Sequence, residues 1–286
     1  MISKKIIIGS ANVNIGYGLK KNRINEKEFN KLMNFAYSKG VKTIDTSPLY
    51  KDSEKIIGLS KKNFNVITKI PKIPLNLKTY EIENWIKKKI INSQKKLKKK
   101  IYGILIQNIE TLTIYKVQIV LNALLNLKKK RFFKKIGISI YKLKILRIIL
   151  KPNIIDFVQL PYNFFDQNIS KKKAISDLKK KNIEIHVRSI FLQGLLLKKK
   201  LNLPKKLKKL YNLIIRWQIW LKKNKIDPVD ACLACVLQNK DIDKLVIGFD
   251  SIDNFNDVIN FKKPKINMNN FKVKINQNLL DPRKWS

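Results

Sequence analysis

The segment "VKTIDTSPLYKDSEKIIG", Val41 to Gly58, decides the fold. Val41-Lys42-Thr43-Ile44 reads as a short strand that stops on Asp45; Tyr50 follows in a loop, and Lys51 to Gly58 has helical spacing. Strand, polar rim and helix in that order make one unit of a parallel sheet covered by helices. Similar apolar runs occur along the rest of the chain: "KIIIGS" near Ile6, "FNVITKI" near Ile67, "YGILIQ" near Leu105, "KIGISI" near Ile138, "DFVQL" near Val158, "IEIHVRS" near Ile185 and "KLVIGF" near Val246. Between them the periodicity predicts helices over Glu26 to Lys39, Asp52 to Leu59, Thr79 to Lys99, Ile114 to Lys130, Lys142 to Leu150, Ser170 to Lys181 and Pro204 to Lys223, with Pro228 to Gln238 and Ser251 to Asn260 beyond. With the segment itself that makes eight alternating units. They predict an α/β protein, a closed (β/α)8 TIM barrel forming a single domain over residues 1–286, rather than an open doubly wound sheet. "IGYG" near Gly16 lacks both the GxGxxG spacing and the strand-to-helix context of a Rossmann turn.

The formal charge is +42, from 62 basic and 20 acidic residues, a balance that ordinarily points to nucleic acid or an anionic membrane. Lysine far outnumbers arginine, however, and Ile and Asn are also abundant, the bias that AT-rich codons produce. The lysines cluster as helix faces: in "WIKKKIINSQKKLKKKIYG", Ile86, Ile90 and Leu97 share one side and the lysines the other. No specific nucleic-acid partner is therefore expected, although salt-sensitive adhesion to polyanions is. A basic nucleic-acid-binding protein remains a reading that rests on charge alone. No apolar run reaches the roughly 18 residues of a membrane span, and "MISKKIIIGSANV" lacks a signal-peptide pattern, so the expected location is the cytoplasm. Cys232 and Cys235 form a CxxC pair, but "DACLACVLQ" reads as a buried helix, and no second pair or nearby histidine completes a metal set. The one histidine, His186, falls inside a strand and reads as a packed residue.

In such a barrel the active site lies at the C-terminal rim of the strands. Asp45, Lys69 and Gln107 end the second, third and fourth apolar runs, and Tyr50 stands just beyond the second. A structural Asp45–Lys69 bridge is the plainer reading of that pair. The chemistry that uses the whole set is proton donation to a carbonyl oxygen. A free phenol titrates near 10; a neighbouring ammonium stabilises the phenolate and eases release of the proton, and a carboxylate balances the buried ammonium.

At this point the residues resemble the aldo-keto reductase family, and they do so along nearly the whole chain. "IDTSPLYKDSEKIIG" looks like the family's Asp-x4-Tyr block, "VITKI" like its lysine strand, "KIGISIY" like its Gly-x-Ser segment and "FVQLPYNFFDQ" like its sixth strand. "VRSIFLQGLL" and "LVIGFDSIDNFNDV" are similar to the seventh strand and to the eighth with its cofactor-binding turn. The wording of "RSIFLQGLL" and of the ending "LDPRKW" looks most like a bacterial branch linked to surface-polysaccharide or nucleotide-sugar metabolism.

The resemblance implies a (β/α)8 barrel using NADPH or NADH to interconvert a carbonyl and an alcohol on a small polar, sugar-like molecule. It implies Tyr50 as general acid/base, Lys69 as the group that tunes it and Asp45 as the partner of Lys69. Gln107 stands where most members have histidine; its amide can orient a substrate carbonyl but cannot relay a proton. For the cofactor the resemblance implies Ser139 and Gln159 against the nicotinamide carboxamide. Arg188 replaces a stacking tyrosine, Ser189, Phe191 and Gln193 follow the diphosphate path, and Gly248 to Ser251 form the turn. Asp250 in that turn would repel a 2′-phosphate, while Lys262 and Lys263 lie beyond the helix, which leaves the two dinucleotides undecided. The changes at Gln107 and Arg188 also fit a second reading, a cofactor-binding barrel without turnover that acts as a sensor or subunit. Neither the oligomeric state nor the substrate can be read from these residues.

Overall fold

The apolar runs fold as eight strands: β1 (Ile6–Gly9), β2 (Thr43–Asp45), β3 (Asn65–Ile70), β4 (Ile101–Ile106), β5 (Phe133–Ser139), β6 (Phe157–Pro161), β7 (Glu184–Arg188) and β8 (Lys244–Gly248). The computed structural model describes residues 1–18, 23–107, 109–141, 145–150, 153–167, 174–198 and 205–265, together with 271, 275, 277–281 and 285. The strands run parallel and close in chain order, with β1 hydrogen-bonded to both β2 and β8, so the expected (β/α)8 barrel is the fold.

Around it lie α1 (Glu26–Ser38), α2 (Ser53–Leu59), α3 (Ile82–Leu97), α4 (Ile114–Lys129), α5 (Leu146–Ile149), α6 (Ala174–Lys180), α7 (Tyr211–Asn224), α8 (Pro228–Leu237) and α9 (Ile252–Ile259). The expected helix starts at Lys142, Ser170 and Pro204 fall outside the described residues. The helix expected from Thr79 starts later: Thr79–Glu81 is a 3-10 turn, as is Lys205–Leu210 ahead of α7. First-turn N–H groups have no partner within the helix, and a tightened turn satisfies some of them. In α3 the buried set includes Ile82, Ile86, Ile90 and Leu97, so its lysines do form the outer face. Among the described residues no helix is long and apolar enough to cross a membrane.

The period of two along each strand sorts side chains between two cores. Ile6 and Ile8, Ile44, Val66 and Ile70, and Ile104 and Ile106 face the helices. Ile7, Ile67, Leu105 and Phe157 meet inside the barrel. Gly137 of β5 makes room for that inner layer, because a Cβ built there would lie 2.2 Å from the Phe157 ring. Gly137→Ala is expected to lower stability by about 1–3 kcal/mol through overpacking, measurable as a reduced midpoint in urea.

Below this layer the lumen is polar. His186 is 2% exposed, stacks on Phe157 with ring centres 4.6 Å apart and bonds through Nε2 to Glu184 Oε2 at 3.1 Å, while Lys135 pairs with the other Glu184 oxygen. His186 is therefore a packed strand residue, as expected. The imidazole N–H, aided by Lys135 against the effect of burial, holds the Glu184 carboxyl down to about 2. Burial pushes the His186 imidazole below its ordinary 6.5, although Glu184 pulls it back. Both groups bind fewer protons folded than unfolded. Their stabilisation is complete above pH 6.5 and is lost as pH falls, the Glu184 part going between 4.5 and about 2. Thermal midpoints are expected to decline across that range, with Glu184→Gln flattening its lower half. Cys232 and Cys235 are buried in α8, and burial pushes both thiols up, Cys235 to about 12, so neither is a thiolate at neutral pH.

Candidate active site

Because Ile44 faces the helices, Asp45 at the end of β2 faces the lumen, and Lys69 of β3 reaches it from the neighbouring strand. The Lys69 ammonium is 3% exposed; it donates to Asp45 Oδ1 and, at 2.9 Å, to the Thr46 carbonyl. Gln159 of β6 donates through Nε2 to Asp45 Oδ2 at 2.9 Å, so both carboxylate oxygens are engaged. Two backbone bonds hold the Tyr50 turn, Tyr50 N to Ser47 O at 3.0 Å and Ser53 N to Tyr50 O at 2.9 Å. That turn sets the centre of the Tyr50 ring 4.9 Å from Lys69 Nζ. Burial alone would push the ammonium down, but the Asp45 charge and then the Tyr50 phenol outweigh it, and Lys69 sits above its ordinary 10.5.

Beside this group opens a cavity of about 480 Å³, within the roughly 300–1,000 Å³ of small-molecule and cofactor sites. Asp45, Tyr50, Gln159, Arg188, Ser189, Phe191, Gln193 and Gly248 all line it, so most of the sequence-predicted set converges there. Four residues do not. Lys69 is buried behind Asp45 and reaches the cavity only through it and Tyr50. Ser139 is buried at the end of β5 away from the lining, and Gln107, half-buried just after β4, is also outside it. Ser251 serves as the N-cap of α9, its Oγ accepting from Asn254 N at 3.1 Å. Gln159, expected against a carboxamide, lines the cavity and also donates one amide hydrogen to Asp45. Arg188, where a stacking ring was expected, lies with Cζ 4.2 Å from the Tyr141 ring centre, and its Nη2 is buried without a hydrogen-bond partner.

Two further lining residues were missed by the reading of the sequence. Asn12, 4% exposed, ties the loop after β1 to the loop after β8 through Nδ2, which donates to Phe249 O at 3.0 Å and Asp250 Oδ1 at 2.8 Å; its Oδ1 has no partner. Tyr17 is 49% exposed; partial burial raises its phenol, as do Tyr50 and Tyr141, against Arg188 and Lys69. Both follow β1 at the same rim, and the rule that singled out Asp45, extended past the strand end, reaches them. The wall from Ser189 to Gly194 is strained: Ser189, Leu192 and Gln193 carry φ of 58°, 48° and 53°. Non-glycine residues there cost on the order of 1–3 kcal/mol each, and such strain clusters at functional sites.

A closed barrel, a cavity at its rim and a carboxylate–ammonium–phenol chain beside that cavity make up the site. The aldo/keto reductase family model matches residues 5–272, and the chain belongs to that family. Membership places it among NAD(P)-dependent oxidoreductases of carbonyls and alcohols. A comparison with curated protein sequences returned no match. Among solved structures, a Pseudomonas aeruginosa protein assigned to the aldo-keto reductases shares the fold at a TM-score of 0.60 and 15% identity, covering 90% of this chain and 88% of its own.

Proposed function

We propose that the protein reduces the carbonyl of a small polar molecule, and oxidises the corresponding alcohol, with Tyr50 as the proton donor and acceptor. The observation that carries this is the contact chain Asp45–Lys69–Tyr50, whose two ends, Asp45 and Tyr50, line one cavity. A dinucleotide fits the residues present: the buried, unpartnered Asn12 Oδ1 on the cavity wall is an acceptor awaiting a donor. When bound, the nicotinamide supplies the hydride for the carbonyl carbon. Tyr50 gives its proton to the carbonyl oxygen as the C=O π bond breaks, and the Lys69 ammonium stabilises the phenolate left behind. Asp45, itself held by Gln159, keeps Lys69 charged and aimed. The phenol then recovers its proton from solvent. A glutamine has no proton to relay, so by this route turnover rests on Tyr50 and not on Gln107. The reading of a barrel without turnover rests on Gln107 and Arg188; the contacts among Asp45, Lys69 and Tyr50 support the catalytic reading over it.

The test is a panel of short aldehydes and hydroxyaldehydes offered with NADH and with NADPH. Carbonyl-dependent loss of nicotinamide absorbance supports the proposal; bound dinucleotide with no turnover on any member contradicts it. The sugar-like character of the substrate rests on the wording of "RSIFLQGLL" and "LDPRKW". Arg188 adds a physical preference, since a buried guanidinium nitrogen without a partner beside the lumen favours a substrate with an anionic or oxygen-rich group near its carbonyl. A hydrogen bond to a charged group contributes about 1.5–3 kcal/mol. Arg188→Met is therefore expected to raise KM for carboxylated aldehydes by about tenfold or more while neutral aldehydes change less; an equal effect on both would contradict it.

A further inference from the structure

Behind the Asp45–Lys69 pair, on the helix side of the barrel wall, lies a buried carboxylate that the reaction does not touch. Glu54 stands in the first turn of α2 and is 1% exposed. Its Oε1 accepts from Thr68 Oγ1 at 2.7 Å, and its Oε2 is buried without a hydrogen-bond partner among the described residues. Thr68 precedes Lys69 on β3 and, by the period of two, faces the helices while Lys69 faces the lumen. Ser53, the residue before Glu54, donates its N–H to Tyr50 O at 2.9 Å and meets Thr46 Oγ1 through its own Oγ at 3.0 Å. Thr46 in turn offers its carbonyl to Lys69 Nζ at 2.9 Å. The contacts close a ring from Lys69 through Thr68, Glu54, Ser53 and Thr46 back to Lys69, with the Tyr50 turn held at Ser53. The far end of α2 is fixed separately: Gly58 lies against α3, where a Cβ would come 2.3 Å from Lys96 O. The bond from Thr68 to Glu54 ties the near end of α2 to the strand that carries Lys69.

Space filling does not account for a carboxylate at this position. Burying an acceptor that finds no donor is destabilising, and an apolar side chain of similar volume avoids that cost. We infer that Glu54 is a positioning residue for the reaction: by holding α2 to β3 through Thr68, it sets the separation of the Tyr50 phenol from the Lys69 ammonium. The inference rests on the reading of Tyr50 as the proton donor. The two groups come from different elements, Tyr50 from the turn that leads into α2 and Lys69 from β3, so a slide of α2 along β3 changes the distance between them. The cavity walls at Asn12, Arg188 and Gly248 belong to other strands and their loops and stay in place when α2 moves. Misplacement of a reacting group by about 1 Å can cost about 10²-fold in rate.

The experiment compares three variants of the full chain with wild type. Thr68→Val removes the donor and keeps the shape. Glu54→Leu combined with Thr68→Val removes both partners, and Glu54→Gln keeps an amide oxygen that still accepts from Thr68. Urea midpoints establish that each variant is folded; the double variant is expected to stay close to wild type, because replacing both members of a buried polar pair by apolar groups is nearly neutral. On the aldehyde that the panel identifies, kcat is expected to fall about tenfold or more in Thr68→Val and in the double variant, with KM and dinucleotide affinity nearly unchanged. Glu54→Gln is expected to restore kcat close to the wild-type value. Wild-type kcat in the folded Thr68→Val and double variants overturns the role, and so does Glu54→Gln that is as slow as the double variant. If the double variant does not fold, Thr68→Val and Glu54→Gln decide the matter between them. Wild type that turns over no aldehyde overturns the reading of Tyr50 and this inference with it.

Discussion

Tyr50→Phe is expected to lower kcat by about 10²- to 10⁴-fold, the usual contribution of a positioned general acid or base, with dinucleotide affinity nearly unchanged. The substitution deletes one oxygen and keeps the ring that packs 4.9 Å from the Lys69 ammonium, so the turn from Ser47 to Ser53 has no reason to move. Steady-state rates on whichever aldehyde the panel identifies, beside a fluorescence titration of the same preparation, separate the two quantities. A fall in kcat with constant affinity is the signature of an interaction made in the transition state only. Loss of affinity with unchanged kcat would instead make Tyr50 a wall of the cofactor cavity.

Asp45→Asn is expected to be the most destabilising single change at the site, costing about 3–5 kcal/mol, because it strands the Lys69 ammonium in the barrel with no counter-charge. Gln159 loses its charged acceptor in the same variant. Urea unfolding of Asp45→Asn, Lys69→Met and the double variant distinguishes a pair from two independent residues: the double variant should recover much of the loss, since an apolar stem then replaces an unpaired charge. The pH dependence has a definite sign. Lys69 is held above 10.5 in the folded chain, so its stabilising contribution is complete below that pH and is lost as pH rises through the higher folded value. The difference between wild type and Asp45→Asn should therefore be largest near neutrality and shrink in strong alkali. A difference that does not shrink there would mean that the pair is not what Asp45 stabilises.

The barrel was legible in the sequence because strand alternation and rim position are local properties. Ile44 outward and Asp45 inward follow from a period of two, and the parallel pairing of β2 and β3 sets Asp45 opposite Ile67, so that Lys69, two residues further along β3, faces the same lumen one step nearer the rim. Contacts across the lumen were not legible. The bond from Gln159 to Asp45 joins residues 114 positions apart, on strands that are not neighbours in the barrel, and no spacing rule reaches that far. The same holds for Asn12 and Asp250, 238 positions apart, which meet because β1 and β8 close the barrel. Arg188 was read against an expected aromatic stack, yet its own partner, Tyr141, follows β5 in a different loop. Tyr17 carries no local signal for another reason: "IGYG" lies in a loop well past the end of β1 at Gly9, where strand periodicity no longer says which side chains return to the rim.

The central claim is that carbonyl reduction occurs at the rim where Tyr50, Lys69 and Asp45 meet. It is tested most directly by mixing the protein with NADH or NADPH deuterated at the transferable position and an accepted aldehyde, then locating the label by NMR. The account predicts deuterium on the carbinol carbon of the alcohol, formed in wild type and reduced by about 10²- to 10⁴-fold in Tyr50→Phe. Dinucleotide that stays bound and fully deuterated across the aldehyde panel, or label transferred equally fast by Tyr50→Phe, would contradict it.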